Sequence, residues 1–233
     1  MVQASPSWSS YMAVVSSLEY RARRSLLLTP TPGFALGTSN SPMYTGKYLA
    51  DAQDLVVVTF NYRTNIFGFP GLSGEAQNLG LRDQRMWVRD NIAAFGGDPY
   101  KITLIGQSAG SMAVDFWSYA YTKDPIVKGL WAMSGNALTR PSATTQEVYS
   151  NFQLVAEAVN CTSTSDELAC MRQADWKTIP DAASRLPSVQ TTNPLRSWAP
   201  FSPTPDDELV FGDYIDRTKS GHFAKIVSLP SKR

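Results

Sequence analysis

The apolar positions of this chain fall into two alternating periods. Leu55 to Phe60 is a continuous, largely β-branched run, which predicts a strand buried on both faces. Ile102-Thr-Leu-Ile105 predicts a second short strand, and a third is expected from about Gly129 to Met133. Between them the spacing turns helical. Leu81, Val88, Ile92 and Phe95 share one face of a helix predicted over about 81–94, and Gly96-Gly-Asp-Pro99 ends it. Ala109, Met112, Ala113, Phe116 and Ala120 mark another helix directly after the second strand. Strands alternating with helices predict an α/β fold with a mostly parallel central sheet flanked by helices. The glycine- and serine-rich stretch 67–80 reads as a loop. From about Ser142 the pattern is helix and loop, and after Thr178 it becomes proline-rich and polar. Residues 1–32 are serine-rich and read as irregular. No internal repeat and no interdomain linker is visible.

The junction of the second strand with its helix carries the chemistry. It reads Gly106-Gln107-Ser108-Ala109-Gly110, and a strand entering Gly-x-Ser-x-Gly before a helix is a nucleophile elbow. The turn is tight enough that side chains two residues to either side of the serine would clash. Gly106 and Gly110 remove that conflict, leaving the Ser108 hydroxyl to project above the sheet. Ser108 is therefore the candidate nucleophile, and the backbone N–H of Ala109 a candidate oxyanion donor. The plainer alternatives are a helix-capping serine and a first-turn amide satisfied by water.

Residues 95–110 as a whole resemble the active-serine signature of the type-B carboxylesterases, which include the cholinesterases and fungal lipases. Asp54 to Arg63 resembles that family's central strand with its Asn-Tyr-Arg ending. Asn78 to Arg85 and Trp87 to Ala94 resemble the helix before the signature, here shortened by three residues, which rotates its ends by roughly 60°. Leu130 to Gly135 resembles the next strand, and Gly221-His-Phe-Ala-Lys225 a segment ahead of the acid-bearing region. The resemblance implies a partial α/β-hydrolase domain over 33–233 that lacks the later strands, preceded by an unmatched extension over 1–32. It also implies a Cys161–Cys170 disulfide loop, secretion, and an acyl-enzyme on Ser108 formed from a small-molecule or lipid ester without a cofactor.

The departures from the family are as specific. Its other oxyanion donors come from a glycine-rich loop. Gly33 is retained there, but Pro32 stands where a glycine belongs and has no N–H to give. The alternative is that Pro30 and Pro32 form a surface turn that was never an oxyanion loop. The family's triad acid and histidine follow far downstream of the serine, and neither is reached by Arg233. The one histidine, His222, falls in a segment that the resemblance makes non-catalytic, although Ser108, one of Asp206, Asp207, Glu208, Asp213 or Asp216, and His222 would satisfy the formal order. These departures predict that the chain as given is inactive. They leave open a catalytically dead, cholinesterase-like binding protein or the product of a truncated gene.

Composition narrows the partners. The net charge is +1, from 21 basic and 20 acidic residues, which gives no electrostatic footprint for nucleic acid. No apolar run approaches membrane-spanning length, and the first residues lack the charge and apolar core of a signal peptide. One histidine and two cysteines make no metal cluster. The Cys161–Cys170 bridge, once oxidised, contributes about 2–3 kcal/mol by loop-closure arguments. Asn160-Cys161-Thr162 is a glycosylation sequon with an unfavourable centre. Oligomeric state and the identity of the ester are not legible.

Overall fold

A computed structural model describes residues 10–16, 25–26, 34–35, 46–72, 77–83, 87–139, 143–162, 166–187 and 199–230. In chain order the elements are β1 (Ser10–Ser16), β2 (Ser25–Leu26), α1 (Lys47–Gln53), β3 (Val56–Tyr62), α2 (Asn65–Gly68), α3 (Leu79–Arg82) and α4 (Trp87–Asn91). A short 3₁₀ turn (Ile92–Phe95) precedes β4 (Thr103–Gln107), α5 (Ala109–Ala120) and β5 (Gly129–Met133). The chain continues through α6 (Thr145–Ala158), α7 (Glu167–Gln173), α8 (Thr178–Ser184), α9 (Tyr214–Ser220) and β6 (Val227–Pro230).

The strands form one sheet in the order β2-β3-β1-β4-β5-β6. β1 is antiparallel to both its neighbours, whereas β2–β3, β4–β5 and β5–β6 are parallel pairs. Every described strand except β1 therefore runs in one direction, and helices cover the sheet: the α/β arrangement of the α/β-hydrolases. The register is continuous across the parallel part. Thr103 lies beside Gly129 and Gly129 beside Val227, so β4, β5 and β6 start level with one another.

Several segments differ from the sequence expectation. Within the stretch read as irregular, Ser10–Ser16 and Ser25–Leu26 are strands. Met12 to Val15 is a run of four apolar residues, and that length suits a strand. The run from Leu55 to Thr59 is half-buried rather than buried on both faces, and α1 just before it buries none of its own side chains. The single helix over 81–94 is instead α3, α4 and a 3₁₀ turn, with 84–86 outside the described residues. Leu81, Val88 and Ile92 are buried as the period predicted, while Phe95 is exposed. Beyond Thr178 the chain is not irregular throughout: α8, α9 and β6 all lie there.

Two apolar clusters hold these layers. The larger joins Leu104 and Ile105 of β4 to α5, and packs α5 against Leu209, Val210, Phe211 and Tyr214. Phe116 and Tyr214 stack with centroids 5.8 Å apart. α5 is consequently buried almost all round, Val114 and Trp117 as well as the predicted face. The second cluster lies between α2, α6, α7 and α8, centred on Phe152, Val155, Met171 and Phe201. α6 starts at a capping box: the Glu147 N–H donates to Thr144 Oγ1 at 3.2 Å, and the Thr144 N–H to Glu147 Oε2 at 2.8 Å. Cys161 and Cys170 are bonded, with Cα atoms 5.6 Å apart, and this ties α7 back to the end of α6.

Asn78 joins distant parts of the sequence. Its Nδ2 donates to Thr204 O and to Asp206 Oδ2, both at 2.8 Å, and its Oδ1 accepts from the Thr204 N–H at 3.1 Å. The residue is 1% exposed and sits at φ 51, a left-handed conformation that asparagine tolerates better than most residues. Asn78→Ala strands three buried partners and worsens the backbone fit. We expect it to lower the urea-unfolding free energy by about 2–4 kcal/mol, against less than about 1 kcal/mol for Lys101→Ala, which removes an exposed ion pair with Asp98.

Candidate active site

β4 delivers the serine. Leu104 and Ile105 are each 1% exposed, and they fix the strand in the sheet up to Gln107. Gly106 and Gly110 are buried, Gln107 is exposed and Ser108 is half-buried. Ser108 stands between strand and helix at φ 56 and ψ −117. A non-glycine residue in this region carries strain of about 1–3 kcal/mol and persists only where its surroundings enforce it. Three contacts enforce it here. The Ser108 N–H donates to Met133 O at 2.9 Å, at the end of β5. Its carbonyl accepts from the Met112 N–H at 3.1 Å in the first turn of α5. Gly135 lies against that same carbonyl, where an added Cβ would come within 2.7 Å of the oxygen.

The loop after β5 is held in turn by α5. Ser111 Oγ donates to Gly135 O at 2.5 Å, and the Ala137 N–H donates to Asp115 Oδ2 at 2.7 Å. Burial pushes the Asp115 carboxyl above the usual aspartate range, an effect partly offset by the Ala137 hydrogen bond. Tyr119 and Tyr214 face it, and burial raises both of their hydroxyls, with the Asp115 charge adding to the effect. Sequence reading passed over Asp115 and Ser111. The available signal was an acid inside the apolar run Met112 to Trp117, where a solvated position has no room.

Ala109, 1% exposed, is the first residue of α5, with its amide at the positive end of a twelve-residue helix and next to the serine. Gly33 lies outside the described residues, as does Pro32. Cys161 is 1% exposed and belongs to the second cluster, away from the elbow.

His222 is at the other end of the molecule's central helix. The Ala224 N–H donates to Ser118 O at 2.7 Å, and Ser118 is ten residues along α5 from Ser108, about 15 Å at 1.5 Å per residue. The strands give the same separation: Val227 is level with Thr103, the amino end of β4, while Ser108 follows its carboxyl end. The His222 ring is exposed and pairs with Ser220 Oγ through Nδ1 at 3.1 Å. The acids that could formally follow the serine are engaged elsewhere. Asp206 accepts from Asn78 and from the backbone N–H groups of Glu208, Leu209 and Val210. Glu208 takes both ends of the Arg82 guanidinium, and Asp213 pairs with Arg217. Asp207 and Asp216 are exposed. Among the described residues no group of three or more His, Cys, Asp and Glu stands close enough to hold a metal ion.

Known proteins share this arrangement. A sequence model of the carboxylesterase family matches residues 18–227. A chlorogenic acid esterase from Aspergillus niger is 39% identical over 211 residues, covering 86% of this chain and 39% of that protein. Secreted lipase 5 of Gibberella zeae is 37% identical over 205 residues, covering 83% of this chain and 38% of the lipase. The crystal structure of Aspergillus niger EstA superposes with a TM-score of 0.70 at 30% identity, over 86% of this chain and 40% of EstA. The chain thus spans about two fifths of the length of these relatives.

The Asp115 carboxyl gives a pH-dependent test of the elbow's support. Its folded-state pKa is raised, so the folded protein holds that proton more tightly than the unfolded chain. The resulting stabilisation is complete below the ordinary aspartate value of about 4, and it is lost as pH rises from there through the raised value. Asp115→Asn keeps an oxygen for the Ala137 N–H and cannot ionise. The melting temperature of the variant relative to wild type should therefore climb as pH rises above about 4, in thermal unfolding followed by circular dichroism.

Proposed function

We propose that this chain, which belongs to the carboxylesterase family, bears at Ser108 the nucleophile of a carboxylic ester hydrolase. The observation that carries this reading is the strained Ser108 backbone, held at the carboxyl ends of parallel strands and at the start of a buried helix. In open α/β sheets that edge is where ligands bind. A serine that served only to cap the helix would need no left-handed φ, and the Ser108 side chain makes no cap hydrogen bond.

In the proposed reaction Ser108 Oγ attacks the ester carbonyl carbon and gives its proton to a base, which passes it to the departing alcohol. Water then attacks the acyl-serine, releasing the carboxylic acid and restoring the hydroxyl. The Ala109 N–H faces the carbonyl oxygen as negative charge develops there, supported by the positive end of α5. Gly33 is the second proposed donor. With Pro32 beside it, one donor of the usual set is lost, a change worth about 10²–10³ in rate. No cofactor enters these steps.

The base is not His222, which lies about 15 Å along α5 from the serine. These 233 residues contain no other histidine. Our reading is therefore that they acquire a covalent adduct at Ser108 but turn esters over slowly by themselves. The same placement of His222 favours a second reading, in which the domain binds esters or a partner without hydrolysing them. The proposed substrates are carboxylic esters of small molecules or lipids, in keeping with relatives named as a chlorogenic acid esterase and as lipases. Secretion is proposed on the relatives named as secreted lipases, and a disulfide at Cys161–Cys170 suits an oxidising compartment.

Treatment with a fluorophosphonate ester, which forms an Oγ–P bond as fluoride leaves, distinguishes these readings. We expect one adduct, formed slowly because no base assists the hydroxyl, located on the Ser108 peptide by mass spectrometry, absent from Ser108→Ala and unchanged in rate in His222→Gln. Lack of any Ser108 adduct on the folded protein would overturn the nucleophile assignment. Loss of the adduct in His222→Gln would overturn the exclusion of that histidine.

A further inference from the structure

A cavity of about 290 Å³ opens between α2, α6, α7 and α8, and Ser108 is not among the residues that line it. Its floor is apolar and firmly packed: Ile66, Phe152, Met171 and Ile179 are each no more than 5% exposed. Among the described residues, the side chains that line it include two arginines, Arg63 and Arg172, and no acid. Its volume is at the lower end of the range for small-molecule sites, which share this make-up of apolar walls with a few placed polar groups.

The charge at the mouth is unbalanced. Arg63 is tied to Asp83 by two side-chain contacts, Nε to Oδ2 at 2.8 Å and Nη2 to Oδ1 at 2.5 Å, and these raise its pKa. That pair is close to neutral. Arg172, exposed in the last turn of α7, makes no ion pair among the described residues. Among the described residues that line the cavity, Arg172 is therefore the cation without an acid partner, and Lys177, 5.8 Å from the ring centroid of the lining Trp176, adds positive charge next to the hollow. The Cys161–Cys170 bond fixes α7 immediately before Met171 and Arg172, so the hollow and its cation keep one spacing.

We propose that this cavity is a binding site, separate from Ser108, for a small amphipathic monocarboxylate. The apolar body fills the hollow between Phe152, Met171 and Ile179, and the carboxylate meets Arg172, with the unused guanidinium hydrogens of Arg63 within the same mouth. A carboxylate answers the positive charge that Arg172 brings to the mouth. A neutral ligand would leave Arg172 to the solvent. The site does not depend on the hydrolase reading. Should that reading hold, the ligand belongs to the chemical class of the acid that ester hydrolysis releases, and the cavity would sense product.

Equilibrium dialysis of the whole 233-residue chain against radiolabelled octanoate tests the proposal, with 1-octanol as the uncharged control. We expect saturable binding of one octanoate per chain, weakened about three- to fivefold in Arg172→Gln, and an equally weakened 1-octanol. Ala174→Phe, which fills the cavity from the end of α7, should abolish binding, and Ser108→Ala should bind as wild type. Arg172 is exposed, so its variant remains folded and informative even if Ala174→Phe does not. The proposal is overturned if the folded wild type shows no saturable binding, if Arg172→Gln binds undiminished, or if octanol binds as well as octanoate. Loss of binding in Ser108→Ala would also overturn it, by moving the ligand to the elbow, whereas failure of phosphonate labelling at Ser108 would leave it standing.

Discussion

The left-handed backbone of Ser108 is the constraint around which the centre of this molecule is arranged. At φ 56 and ψ −117 the residue stores strain of about 1–3 kcal/mol, which the surroundings must offset. β4 supplies a rigid approach through Leu104 and Ile105, and the Ser108 N–H is fastened to Met133 at the end of β5. Gly135 is a consequence of the same turn, since any side chain there would press on the Ser108 carbonyl. Ser111 and Asp115, one turn apart on α5, then hold the chain at Gly135 and Ala137 in place. Asp115 does this as a carboxylate driven above its usual pKa by burial, so the support of the elbow is itself destabilising when charged. Such a placement makes sense if position, more than stability, is what the helix provides.

A second anchor relates this centre to the later part of the chain. Asn78 binds Thr204 and Asp206 across 126 and 128 residues of sequence, and Gln77 Nε2 donates to Thr204 Oγ1 at 3.0 Å beside it. Closing so long a loop costs entropy that grows only slowly with its length, and three hydrogen bonds to one amide, two of them fully buried, offset part of it. The flanking Arg82–Glu208 pair, partly solvated, adds much less. Once the segment around Thr204 is docked, Leu209 to Tyr214 falls against α5, and that helix becomes buried on both sides. The apolar cavity between α6, α7 and α8 lies within the neighbouring cluster, and a covalent bond sets its edge.

What the sequence disclosed follows from how far each feature reaches along the chain. The elbow, β4, β5 and α5 were legible because strand period, tight turn and helix period adjoin within residues 102–120, and each confirms the others. Residues whose roles depend on distant partners were not. Nothing local to Asn78 announces a left-handed amide aimed at Thr204, and Asp206 reads as one of several loop acids until its three backbone donors are seen. β1 was passed over because four apolar residues, Met12 to Val15, are ambiguous in isolation and gain meaning only from pairing with β3 and β4. The predicted helix over 81–94 kept its buried face at Leu81, Val88 and Ile92 yet broke into pieces, since burial selects side chains more strictly than it enforces a continuous backbone.

Topology also explains why the one histidine and the serine are apart. β4, β5 and β6 are parallel and start level, so their amino ends share one edge of the sheet and their carboxyl ends the other. Ser108 follows the carboxyl end of β4, whereas His222 precedes the amino end of β6, and the two therefore belong to opposite edges. The Ala224–Ser118 hydrogen bond fixes this from the helical side, since Ser118 is near the far terminus of α5. No side-chain rotation crosses about 15 Å, so the separation is a property of strand direction and not of local packing. The carboxyl end of β6, by contrast, is two strand spacings from that of β4, about 10 Å, on the same edge as the nucleophile. A base that reaches Ser108 in this fold must approach from that edge, where connections follow the parallel strands and where antiparallel β1 begins.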